Sequence, residues 1–91
     1  MLKITRVESL NQEITLQLDG SVTGQWVALL REYAGAALKD GRRLTLDLEN
    51  ISFIDCDGLA VIKSLIDNGV RQVNAPLFVA EQIRKCGAEG D

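Results

Sequence analysis

Two stretches of this chain alternate apolar and polar side chains, and between them the apolar spacing lengthens to threes and fours. The first, Glu13-Ile14-Thr15-Leu16-Gln17-Leu18-Asp19, and the second, Arg43-Leu44-Thr45-Leu46-Asp47-Leu48-Glu49, each put their apolar set on one face of a strand. Between them Val22, Trp26, Leu29, Leu30, Tyr33, Ala37 and Leu38 fall on one helical stripe, with Gln25, Arg31, Glu32 and Lys39 facing water. At that spacing Trp26 and Tyr33 read as core. Ser21 or Thr23 is placed to cap the helix and Gly41 to end it. Strand, helix, strand is the pattern of a parallel pair, which needs a crossover that a helix supplies.

The remaining segments extend this unit. Leu2 to Val7 reads as a weaker strand joined by Ser9-Leu10-Asn11-Gln12 to the first alternating strand, which Gly20 ends. Ile51-Ser52-Phe53-Ile54 is dense enough in apolar residues to be buried on both sides. Leu59, Ile62, Leu65 and Ile66 then repeat at helical spacing until Asn68-Gly69. Val70 to Val73 is a short strand, and Pro76 suits the first turn of a third helix carrying Leu77, Phe78, Ala80 and Ile83. The expected fold class is α/β: a small mixed β-sheet with helices packed on it, in the order β-β-α-β-α-β-α. Residues 1–86 form a single domain and 87–91 a frayed tail. Leu16, Leu18, Leu46, Leu48, Phe53 and Ile54 are the expected core. The last sheet edge is open, which invites pairing and makes a homodimer through that edge an expectation.

Composition removes several function classes. The 91 residues suffice for one domain, and their 46% hydrophobic and 25% charged content is that of a globular protein. Ten Lys and Arg against thirteen Asp and Glu leave a net charge of −3, so nucleic acid is not an expected partner. There is no His, which takes away the commonest acid/base group and most transition-metal sites; no metal and no cofactor is expected. Cys56 and Cys86 fit neither a redox pair nor a zinc knuckle and read as free thiols. No signal peptide or membrane-spanning run is seen, so a cytoplasmic location without direct membrane insertion is expected.

Chemistry concentrates in Asp55-Cys56-Asp57-Gly58, between the most apolar strand and the second helix. Read as structure alone, Asp55 or Asp57 caps that helix and Gly58 lets two backbones approach. Cys56 reads as a small packing residue, because flanking carboxylates oppose formation of a reactive thiolate. Read as chemistry, Phe53-Ile54-Asp55-Cys56-Asp57-Gly58 resembles the opening motif of haloacid-dehalogenase phosphatases. That resemblance implies a Mg²⁺-dependent phosphoryl transfer with Asp55 as nucleophile and Asp57 as acid/base. The rest of the chain is too short for the other groups such an enzyme needs.

A longer match covers Leu44 to Leu65. Its alternating aliphatic strand, the Asp55-Cys56-Asp57-Gly58 loop and Leu59-Ala60 opening a helix resemble the central signature of STAS domains, the sulfate-transporter and anti-sigma-factor-antagonist family. Leu18-Asp19-Gly20 and Asn74-Ala75-Pro76-Leu77 resemble further parts of the pattern, so the likeness runs from about Glu13 to Arg84, with the family's last strand and helix missing at the C-terminus. It implies a non-catalytic module that binds a protein partner: an anti-sigma factor of kinase-like ATPase fold, a signalling assembly, or a lipid/ABC-type transporter complex. The implied contact residues are Gly20, Ser21, Gly24, Asp55, Cys56, Asp57, Gly58, Leu59 and Ile62. Where phosphoregulated members carry the modified Ser or Thr, this chain has Cys56, followed by the fixed charge of Asp57. The usual phospho-switch is therefore not expected.

Overall fold

The structure, a computed structural model, describes residues 1–89. The elements follow the expected order: β1 (Leu2–Glu8), β2 (Glu13–Val22), α1 (Gln25–Lys39), β3 (Arg43–Ile54), α2 (Cys56–Asp67), β4 (Arg71–Val73) and α3 (Leu77–Glu89). The tail expected to fray, 87–91, lies partly outside the described residues, as does the environment of the Cys86 thiol.

Strand order in the sheet is β1-β2-β3-β4, the order of the chain itself. β1 and β2 pair antiparallel, while β2 with β3 and β3 with β4 are parallel. Both parallel crossovers step in the same direction. Taken with the right-handed sense that such connections adopt, they put α1 and α2 on one face of the sheet. Burial follows: Ile14, Leu16 and Leu18 of β2 and Leu44, Leu46 and Leu48 of β3 all lie buried in one core cluster. They share it with Val27, Leu30, Ala34 and Ala37 of α1, Val61 and Ile62 of α2, and Val79 of α3. Each fully buried Leu contributes about 1.5–3 kcal/mol of transfer free energy. The alternate residues Thr15, Gln17, Thr45 and Asp47 are exposed or half-buried, so the second face is bare. Because strand order never reverses, there is no switch-point crevice of the doubly wound kind.

Several local expectations are corrected. β2 does not end at Gly20 but runs through it to Val22, which is a buried strand residue rather than part of the helix. In α1 Leu30 and Ala37 are buried as expected, but Val27 and Ala34 complete the buried stripe, leaving Trp26 and Leu29 half-buried and Tyr33 and Leu38 exposed. Close packing on the sheet favours the small side chains and turns the large ones to the flank. In α3 Val79 is buried, whereas Leu77, Phe78 and Ala80 are exposed.

The largest departure is in β3. Gln17 pairs with Asp47 and Asp19 with Asn50; Gly20 pairs with Ile51 and Ser21 with Phe53. β3 therefore advances one residue more than β2 at each of these steps, which makes two bulges. Each bulge resets the alternation, so Leu48, Ile51 and Ile54 all point into the core at a spacing of three. Ser52 and Phe53 point outward, and Phe53 is 57% exposed instead of buried.

Candidate functional site

The parallel strands β2 and β3 end side by side, so the connections into α1 and α2 lie together at one end of the sheet. Asp55 ties them to each other. Its N–H donates to the carbonyl of Val22 at 3.2 Å, tying the residue that follows β3 to the end of β2. Its backbone is extended (φ −94°, ψ 180°), the geometry of a residue that caps a helix rather than continuing one. The carboxylate Oδ1 accepts from the Gly58 N–H at 2.7 Å, and Oδ2 accepts from the Gly24 N–H at 3.1 Å. One side chain thus caps α2 and holds the residue from which α1 starts. Neither Ser21 nor Thr23 caps α1: the N-cap is Gly24, at φ 52°, with no side-chain cap of its own, and the Thr23 backbone carbonyl accepts from the Trp26 N–H at 3.0 Å.

The hydrogen bonds from Gly58, and next from Gly24, hold the Asp55 carboxyl below its ordinary pKa of 3.8, against a smaller opposing cost of desolvation. Asp55 is therefore an ionised acceptor whose two oxygens are both engaged by amides.

Gly58 has a steric role as well. A Cβ there would fall on the Val22 carbonyl oxygen and come within 2.9 Å of Val22 Cγ1 and 3.2 Å of Ile54 Cγ1. α2 can approach the strand ends only with glycine at this place. Gly20, at φ 113°, lies within β2 opposite Leu2, and a Cβ on it would run into the Met1 carbonyl oxygen. It allows β1 to pair rather than opening a loop.

The sequence-derived residues therefore separate. Gly24, Asp55, Asp57 and Gly58 come together, with Cys56 and Asp57 exposed in the first turn of α2. Cys56 is a free thiol facing outward, not the packing residue expected. Leu59 is half-buried against the core, and Ile62 is wholly buried, so Ile62 supports this end of the molecule from beneath and does not line its surface. Ser21 faces the bare side of the sheet beside Phe53. A groove of about 560 Å³ runs between α1 and α2, with Gly24, Ala28 and Arg31 on one wall and Asp57, Ala60 and Ser64 on the other. Sequence reasoning missed Arg31, Ala60 and Ser64, because only the packing of α1 beside α2 brings them together; their small neighbours were the available signal. Among the described residues no three His, Cys, Asp or Glu side chains converge as a metal site, and no helix is long and apolar enough to cross a membrane.

The fold and the Asp55 clamp define a small α/β domain whose exposed loop sits at the ends of two parallel strands. The family model of the STAS domain matches residues 3–87, and the chain belongs to that family. Among solved structures it is similar to the anti-sigma factor antagonist SpoIIAA in its unphosphorylated form, with a TM-score of 0.71 and 17% identity over 93% of this chain and 81% of that one. That likeness is one of fold. No curated protein sequence matches the chain.

Proposed function

We propose that this STAS domain is a non-catalytic regulatory module of the anti-sigma-factor-antagonist kind. It binds a protein partner through the Asp55–Leu59 loop and the start of α2, with Gly24 and the α1–α2 groove beside them. The observation that carries this reading is the Asp55 clamp. Both carboxylate oxygens accept from backbone amides, which fits Asp55 as the organiser of a recognition loop better than as the nucleophile that the phosphatase alternative requires. The first turn of α2 is left exposed with Cys56 and Asp57 at its tip.

A thiol in place of the hydroxyl implies a partner surface that is never switched by Ser/Thr phosphorylation at Cys56. The partner is an anti-sigma factor of kinase-like fold or a component of a signalling assembly; a transporter complex served by a small cytoplasmic STAS subunit is the alternative. The test uses the protein encoded beside this gene, with ATP wherever that protein is a kinase. Native protein is expected to bind it and keep its mass, whereas Cys56→Ser gains a phosphate. That adds roughly −1.5 to −2 charges between Asp55 and Asp57 and weakens binding through like-charge repulsion and desolvation. Stoichiometric phosphate on native protein at Ser52 or Ser64, with loss of binding, would overturn the unswitched module.

The sheet edge supports a second contact. β4 pairs with Thr45 to Asp47 only, and its three residues are all exposed, which suits pairing of two copies. A sedimentation profile that stays monomeric at high concentration rules this out.

A further inference from the structure

We infer that Phe53, presented by the second bulge of β3 on the bare face of the sheet, is an apolar anchor of the partner interface, and that the surface it fits is apolar at its centre with Lys or Arg around it. This rests on the reading of the Asp55–Leu59 loop as a recognition site and extends that site over the end of the sheet.

Three observations carry it. First, Phe53 is exposed by construction. Were β3 to pair regularly through Ser52, Phe53 would stand opposite the buried Val22 and turn inward; the bulge re-aims it, as bulges beside functional sites do. Second, Phe53 does not stand alone. Its cross-strand neighbour is Ser21, whose N–H donates to the Met1 carbonyl at 2.9 Å, so Phe53 of β3, Ser21 of β2 and Met1, just before β1, form a row at this end of the sheet. Both hydrophobic ends of that row are exposed, Met1 at 85%. Phe53 lies two residues before Asp55, so the row borders the loop directly.

Third, the segment that carries Phe53 and the recognition loop bears charge of one sign. From Leu44 to Ile62 the chain carries Asp47, Glu49, Asp55 and Asp57 and no Lys or Arg. None of these four is in an ion pair among the described residues. Lys3 stands opposite Asp19 in the β1–β2 register, and Arg31 shares the α1–α2 groove with Asp57 without pairing to it. Glu49 and Asp57 are exposed and unneutralised on either side of Phe53 in the chain. A complementary surface supplies cations for them and an apolar pocket for the ring, the arrangement in which a central aromatic dominates binding.

The experiment titrates isotope-labelled full-length protein with three short peptides: one of Lys and Leu, one with Glu replacing each Lys, and one of Lys and Ser. The Lys–Leu peptide is expected to shift the amide signals of Ser21, Ser52 and Phe53 together with those of Asp55–Leu59. Phe53→Ser should raise its Kd about fivefold or more. Phe53→Lys, which adds a like charge, should weaken it further. Because Phe53 is exposed, both variants should keep the native unfolding midpoint. Equal binding of the Glu–Leu or Lys–Ser peptide overturns the inference. So do shifts confined to Asp55–Leu59 and the groove with Phe53→Ser binding like native, an outcome that leaves the recognition loop intact. No shift at either place with any peptide overturns both readings.

Discussion

At the scale of single residues, Asp55 and Gly58 do most to fix the exposed loop, and each yields a measurable outcome. Gly58→Ala places a methyl on the Val22 carbonyl oxygen, which is backbone, and against the Val22 and Ile54 side chains. It should cost about 1–3 kcal/mol, read as a lower denaturant midpoint with an unchanged slope. Asp55 contributes through its charge. Its folded pKa lies below the ordinary 3.8, so the stability it confers is complete above that value and is lost as pH falls through the folded pKa. Asp55→Asn keeps the shape but turns an amide NH₂ toward Gly58 or Gly24. The variant should be less stable than native at neutral pH, and the difference should shrink on acidification below about pH 4. A gap that stays constant between neutral and acid pH would show that charge is not the cause. The cap was legible in the sequence because Asp three residues before Gly58 is a local pattern. Its second bond, to Gly24, spans thirty-one positions and has no local sign.

At the scale of elements, the strands and helices were readable wherever burial repeats regularly. β2 and the first half of β3 alternate without interruption and form as expected. The second half of β3 was misread because a bulge adds a residue of ordinary type, here Ser52, and nothing in its chemistry announces the reset. α1 was misphased for a different reason. It carries apolar residues on most sides, and Trp26 and Tyr33 outweigh their neighbours Val27 and Ala34, which are the ones small enough to lie on the sheet. Gly35 is exposed within the same helix, with open space where a Cβ would go. Gly35→Ala should therefore stabilise the protein by about 0.5–1 kcal/mol, visible as a rise in melting temperature. No gain would mean that the glycine is matched to a contact outside the domain.

At the scale of the whole molecule, one core cluster drawn from six of the seven elements implies that none of them holds its apolar face alone. Trp26 packs at the margin of that cluster. Its fluorescence and the far-ultraviolet circular dichroism should then report coincident unfolding transitions in denaturant. Separate midpoints would show that α1 detaches before the sheet. The strand order β1-β2-β3-β4 has a kinetic consequence too. Each strand pairs with one the chain has already made, so every closure spans the shortest stretch available, and the entropic cost of loop formation stays low. During synthesis, the hairpin can emerge first, accept β3 once α1 has left the ribosome, and take on β4 last. At each stage the growing edge is one that the next segment to appear is built to cover.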